Sequence, residues 1–258
     1  MPVIAHLSDI HLGQVRPGPD GPDGGERAEA RARQVMAYLE GLPGPIDAVL
    51  VTGDIADHGA PEEYAAAARI LASDRWEVLT CPGNHDVREA YRSGLLGEEP
   101  APGPVNRLHE LPGLTVLMCD SSIPGRDEGR LDEETLAWLD TTLSHVRRDV
   151  PAVVAFHHPP VELHAPLVDA IRLQDTPRLA AVLRCHPQVV AVLCGHAHTP
   201  AATRFAGLPL AVAPGVVSTV TLPFEGGEGI VFDHPPMVAF HILDDRRRLT
   251  THHRIVLS

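Results

Sequence analysis

Five short apolar runs, Pro2 to Leu7, Ile46 to Thr52, Trp76 to Cys81, Pro151 to Phe156 and Val189 to Cys194, each stop at a turn carrying aspartate, asparagine or histidine. Unbroken apolar runs of strand length read as strands covered on both faces. Strands of that kind separated by helical stretches make an α/β protein. The turns are Asp9-Ile10-His11, Gly53-Asp54-Ile55-Ala56-Asp57, Gly83-Asn84-His85-Asp86, His157-His158-Pro159 and Gly195-His196-Ala197-His198. Open α/β sheets place ligand sites beyond the carboxyl ends of their strands, so these turns are expected to face one another. Their oxygen and imidazole donors suit divalent metals.

Between the runs, helical spacing of apolar residues predicts a helix from about Glu26 to Leu42 that buries Ala28, Ala32, Val35, Met36 and Leu39. Pro61-Glu62-Glu63 opens a second helix running to about Ala72, and Asp132-Glu133-Glu134 a third with Leu136, Leu139, Leu143 and Val146 on one face. Trp138 on that third helix reads as core. A fourth helix is expected from about Pro177 to Arg184, after an excursion over Val161 to Asp175. Leu114 to Cys119 reads as a strand, and Arg88 to Pro104 as helical at first and then irregular. Leu208 to Ala213, Met237 to Leu243 and Leu249 to Val256 read as strands with no crossover helix between them, which predicts antiparallel pairing. No linker or repeat interrupts the chain. The expectation is one domain over 1–258, with an antiparallel strand region from about 205 to 258.

Charge narrows the function. A formal net charge of −13 argues against a nucleic-acid polymer as partner, because phosphate-backbone affinity comes from clustered cationic side chains. A small anionic substrate stays open where metal ions supply positive charge locally. Cys81, Cys119, Cys185 and Cys194 show no close pairing, and three of them lie in apolar runs, so they are read as reduced and structural. The chain enters a strand at once and holds no apolar run of membrane-spanning length, which gives the expectation of a cytoplasmic protein.

At the turns, Asp9 and His11 would point the same way if strand alternation persists. Asp54, at a tight glycine turn, could reach two cations at once. Asp57 suits the role of accepting a hydrogen bond from an imidazole, with His85 as the natural partner, the alternative being a cap for the helix that opens at Pro61. Asp86 reads as turn-stabilising. Of the adjacent pair, His157 is chosen as a ligand and His158 as a pocket residue. His196 and His198 would project to one side from extended backbone, each to its own metal. His164 could reach substrate or be an exposed loop residue, and His234, His241, His252 and His253 lack acidic partners at ligand-like spacing.

The ordered set Asp9-x-His11, Gly53-Asp54-x-x-Asp57, Gly83-Asn84-His85-Asp86, His157 and Gly195-His196-x-His198 resembles the calcineurin-like metallophosphoesterase superfamily. More narrowly, Ser8-Asp9-Ile10-His11-Leu12, His157-His158-Pro159-Pro160 and the run Gly195 to Gly215 resemble class III cyclic nucleotide phosphodiesterases and their glycerophosphodiesterase relatives. The resemblance implies a four-layer α/β/β/α sandwich. It implies that Asp9, His11, Asp54 and His198 bind one metal and that Asp54, Asn84, His157 and His196 bind another. It makes His85 the general acid, oriented by Asp57. Iron, manganese or zinc would suit such mixed donors.

The expected function is that of a dinuclear-metal phosphodiesterase cleaving 3′,5′-cyclic nucleotides such as cyclic AMP to 5′-monophosphates by a metal-bridging hydroxide. The alternatives are a glycerophosphodiesterase, a broad phosphodiesterase or phosphatase, and a non-catalytic scaffold, whose mark would be lost ligands. Substrate contacts are sought at His158 and His164, with His58 and the Ser121 to Arg130 loop as further candidates. Aromatic residues make up only 4%, so an aromatic wall for a nucleobase is not evident. The apolar C-terminal strands could supply a homodimer interface.

Overall fold

In the computed structural model, which describes residues 1–18, 21–226 and 229–257, four of the five apolar runs become inner strands of two sheets and the fifth, as Glu77–Cys81, closes one edge of the first. The main strands are β1 (Val3–Leu7), β2 (Ala48–Thr52), β3 (Glu77–Cys81), β4 (Arg107–Leu111), β5 (Leu114–Met118), β6 (Ala152–Ala155), β7 (Val189–Cys194), β8 (Ala201–Phe205), β9 (Leu208–Val212), β10 (Met237–Leu243) and β11 (Leu249–Ile255). The main helices are α1 (Glu26–Glu40), α2 (Pro61–Ile70), α3 (Glu133–His145) and α4 (Thr176–Cys185). The first sheet has the order β11-β10-β1-β2-β3, with β1, β2 and β3 parallel and the last two strands of the chain added antiparallel. The second has the order β8-β9-β7-β6-β5-β4, parallel through its four inner strands and antiparallel at both edges.

Strand alternation sorts the apolar side chains into three layers. Ala5, Leu7, Val49 and Val51 turn to one face of the first sheet and pack with Val35, Met36 and Leu39 of α1 and Tyr64, Ala67 and Ile70 of α2. Their neighbours Ile4, Ala48, Leu50 and Leu79 turn the other way and meet Val116, Met118, Val153, Ala155 and Leu193 from the second sheet. On the far side of that sheet, Leu117, Val154 and Val192 pack with Leu136, Leu139 and Leu143 of α3 and Leu179 and Leu183 of α4. The outcome is a four-layer α/β/β/α sandwich. Each inner strand is covered on both faces, which is why its sequence shows no polar alternation.

One expectation needs correcting. The C-terminal strands do not form one antiparallel region: β9 runs parallel to β7 in the second sheet, while β10 and β11 form a hairpin on the first. The missing crossover helix misled the reading, because the chain passes from one sheet to the other between them. Arg107–Leu111 is an edge strand whose side chains alternate between half-buried and exposed; its polar sequence gave no strand signal. Among the described residues, no helix is long and apolar enough to cross a membrane.

Candidate metal centre

Register brings the strand ends level. Leu7 pairs with Val51 and Thr52 with Cys81 in the first sheet, and Ala155 pairs with both Met118 and Leu193 in the second. The chain leaving each strand then bends sharply. Asp9 (φ 55°), His11 (φ 40°), Asp54 (φ 48°), His196 (φ 68°) and His198 (φ 55°) all adopt the left-handed conformation, which L-residues other than glycine rarely enter. Neither the strand alternation expected of Asp9 and His11 nor the extended backbone expected of His196 and His198 persists. Left-handed single residues turn these side chains inward instead. Hydrogen bonds hold the turns in place: Asp9 N–H donates to the Gly53 carbonyl (3.2 Å) and His11 N–H to that of Asp54 (2.9 Å). Two glycines let the loops touch. A Cβ on Gly53, at φ 86°, would lie 2.5 Å from His157 Nδ1, and one on Gly83 would lie 2.2 Å from Asp54 Oδ1.

The side chains so gathered fall into two donor sets that share one carboxylate. Asp54 Oδ1 accepts the His85 backbone N–H at 3.0 Å, leaving Oδ2 to face His11 Nε2 at 3.5 Å on one side and His157 Nε2 at 3.4 Å on the other. On the first side, Asp9 Oδ1 lies 3.4 Å from His198 Nε2, and Asp9, His11, Asp54 and His198 each bring one donor atom within 4.8 Å of the others. On the second, His157 Nε2 is 3.2 Å from Asn84 Oδ1 and 3.1 Å from His196 Nδ1. Asp9 Oδ1 and His11 Nε2 are buried with no hydrogen-bond partner. Unsatisfied buried polar atoms are rare and costly, and a cation on the first side of Asp54 would satisfy both. The donor set, with oxygen and imidazole mixed, fits such ions.

The other nitrogen of each ring explains why these nitrogens are free to bind. His157 Nδ1–H donates to the Thr52 carbonyl (2.6 Å), and His11 Nδ1–H to Asp57 Oδ1 (2.9 Å). His198 Nδ1 bonds Ser218 Oγ at 2.5 Å. In each case Nε2 is left to face the cluster, the usual arrangement behind a metal-binding imidazole. His158 differs. Its Nε2–H donates to the Asp127 carbonyl (3.1 Å) and its Nδ1 accepts from Ser121 Oγ (2.8 Å). With both nitrogens occupied and the ring wholly buried, it supports the loop after β5 and cannot reach out to a substrate, though it lies close enough to His157 and His196 to be grouped with them.

Asp57 departs from its expected pairing. Its carboxylate serves His11, and it is the Asp57 backbone carbonyl that accepts from His85 Nδ1–H at 2.8 Å, the His85 ring lying 3.9 Å from the carboxylate. The left-handed turn at His11 swings that ring under Asp57 and leaves His85 the main-chain oxygen. Asp86 is buried and accepts from the backbone N–H groups of Gly83, Ala56 and Ile55 and from the Tyr64 hydroxyl, tying two ligand loops together. His164 is exposed on the excursion between β6 and α4. Thr52, Ser218 and Glu63 were not singled out from the sequence. Thr52 acts through a carbonyl, which carries no sequence signal, and Ser218 lies in a segment without a motif.

Charge is concentrated here. Burial works against the His157 cation, yet the Asp54 and Asp9 carboxylates outweigh it and push its pKa up to about 9; His11 is likewise raised, burial being overcome by Asp57, Asp54 and Asp9. Asp54 is buried too, but its imidazole neighbours, His157 foremost, hold it well below the usual carboxylate range. Burial and the His157 cation drive His158 down to about 3. Cations entering this cluster therefore displace protons.

The model for calcineurin-like phosphoesterases matches residues 2–200. The chain belongs to that family. A probable cyclic nucleotide phosphodiesterase of Rhodococcus erythropolis is 37% identical over 232 residues, covering 87% of this chain and 74% of that protein. A glycerophosphodiester phosphodiesterase of Enterobacter lignolyticus is 32% identical over 243 residues, covering 93% of this chain and 86% of its own. Among solved structures, a dimetal phosphatase from Danio rerio superposes with a TM-score of 0.61 at 14% identity, covering 93% of this chain and 95% of that one. At that identity the likeness is one of fold, and it agrees with the four-layered sandwich of this calcineurin-like phosphoesterase.

Proposed function

We propose that this calcineurin-like phosphoesterase is a dinuclear-metal phosphodiesterase that opens 3′,5′-cyclic nucleotides to 5′-monophosphates. The observation that carries the reading is Asp54 Oδ2, turned at once toward His11 Nε2 and His157 Nε2. Asp9, His11, Asp54 and His198 would hold one cation, and Asp54, Asn84, His157 and His196 the other, with iron, manganese and zinc as the candidates. Bound there, two cations would neutralise the phosphoryl oxygens and acidify water near neutral pH.

The chain's own residues supply the rest. Asp57, Thr52 and Ser218 fix the tautomers of His11, His157 and His198, so that each donor is already aimed before an ion arrives. His85 is half in solvent beside Asn84, with Nδ1–H spent on the Asp57 carbonyl. Its Nε2 is then the atom that would hand a proton to the departing alkoxide, a poor leaving group without one. Asp86 keeps Asn84 and Asp54 in register by bonding both loops.

Relatives named for cyclic nucleotide and for glycerophosphodiester cleavage both support diester chemistry. The second substrate class stays as the alternative because aromatic residues, which a nucleobase wall would use, make up only 4% of the chain. The test is hydrolysis of cyclic AMP, glycerophosphoethanolamine and bis(p-nitrophenyl) phosphate by protein reconstituted with manganese or iron, beside an EDTA-treated control. Metal-dependent turnover with cyclic AMP fastest is the expected result. Preference for the glycerol diester would move the substrate and keep the chemistry, and no turnover by the loaded protein would end the reading.

A further inference from the structure

Outside the two donor sets, two imidazoles beside Asp57 are solvent-exposed, His85 and His58, with side chains 40% and 62% exposed. His58 has no place in the core, yet it is braced from below. Its Nδ1–H donates to Glu63 Oε1 at 2.8 Å, and Glu63, whose own side chain is only 10% exposed, uses Oε2 to accept the backbone N–H groups of His58 and Ala60, both at 3.0 Å. One carboxylate thus caps the first turn of α2 and fixes the main chain and the ring of the preceding histidine. Gly13 lies directly against Glu63, where any Cβ would collide with the carboxylate. Glu63 is therefore clasped between the His11 loop and α2, and the ring it holds is set rigidly.

That ring is held beside the acid. His58 Nε2 lies 3.5 Å from Asp57 Oδ2, and the carbonyl of the same Asp57 accepts from His85 Nδ1–H. Two exposed imidazoles are thereby anchored on one residue. Hydrogen bonding to Glu63 raises the His58 pKa above the usual imidazole value. The chain has 21 cationic residues, all of them arginine and none lysine, so histidines are its only short nitrogen donors of variable charge.

We propose that His58 is a specificity-determining residue that binds the leaving-group portion of the diester, donating from Nε2 to a hydroxyl oxygen of a sugar or glycerol unit. The assignment rests on the phosphodiesterase reading above. An in-line displacement puts the leaving group on the side of the residue that protonates it. His58, one residue from His85's anchor, is placed to touch whatever is attached to that oxygen.

A selectivity ratio tests this with metal-loaded protein. The kcat/KM for an oxygen-rich diester, whichever of cyclic AMP and glycerophosphoethanolamine the wild type prefers, is divided by that for bis(p-nitrophenyl) phosphate, whose leaving group has no hydroxyl. His58→Ala is expected to lower the ratio about tenfold, the size of one lost charge-assisted hydrogen bond. His58→Gln, which keeps a donor, should recover part of it. Glu63→Gln, which keeps an acceptor for the cap and loosens the ring, should lower the ratio less. General damage would depress both substrates together, so a ratio unchanged in His58→Ala overturns the proposal while leaving the phosphodiesterase reading intact. Loaded wild-type protein that cleaves no diester overturns both.

Discussion

Asp54 Oδ2 faces imidazoles from two different loops, so its removal should be felt on both sides. Asp54→Asn, which keeps an acceptor for the His85 N–H but removes the charge, is expected to drop metal content from about two ions per chain to about one or none by elemental analysis. Asp57→Asn acts at one remove. It offers His11 a weaker or reversed partner, and about 10- to 100-fold loss of metal affinity is expected, concentrated in the ion that Asp9 and His198 would hold. His85→Ala should keep both ions and lose about 10²- to 10⁴-fold in kcat on alkyl diesters, with a smaller loss when the leaving group is p-nitrophenolate. An equal loss on both would remove His85 as the acid. At this scale the sequence was informative wherever a side chain does the work, since Asp, Asn and His at strand ends are visible as letters. It was silent where the main chain acts: the carbonyls of Thr52 and Asp57, which hold His157 and His85, could belong to any residue.

Elements were legible to the degree that their surroundings are uniform. Inner strands such as Ala48–Thr52 are buried on both faces and so spell themselves out as apolar runs. Edge strands answer to one partner and to water; Arg107–Leu111 and Ala201–Phe205, polar on their open faces, left no trace, whereas the edge strand Glu77–Cys81, with Leu79 and Cys81 buried, was legible. Pairing partners are non-local choices, which is why the C-terminal strands were assigned to one antiparallel region rather than to two sheets. The loops between strands and helices depend on close approach. Gly83→Ala would place a methyl group 2.4 Å from Asp54 N and closer still to its carboxylate. A loss of about 1–3 kcal/mol in stability is expected, read by urea unfolding, together with weakened binding of the ion that Asn84 would hold. Retention of both ions at wild-type affinity would show that the loop can yield without cost.

For the whole molecule, the layer between the sheets is apolar except where His6 Nδ1 meets His241 Nε2 at 3.0 Å, in a chain running from Thr52 Oγ1 to Thr251 Oγ1. Burial lowers both imidazoles, His241 to about 3 and His6 well below its ordinary value, with the neighbouring histidines adding to the effect. Folded, the pair binds fewer protons than the unfolded chain below pH ~6.5, so its contribution is intact above that value and is lost as pH falls toward the folded pKa values. The unfolding free energy of metal-loaded protein, from urea titrations, should fall between pH 7.5 and 5.5, by up to about 1.4 kcal/mol per ring per pH unit. The double variant His6→Leu with His241→Leu should flatten that fall, and an unchanged slope would assign it to other groups. The left-handed backbone at Asp9, His11, Asp54, His196 and His198 acts on a longer timescale. Each such residue costs on the order of 1–2 kcal/mol that glycine would not, a cost tolerated only while the side chain is needed. A descendant freed from selection for catalysis would gain stability by exchanging these five for glycine. Asn84 and His157, which lack that strain, would be the last letters of the site to disappear.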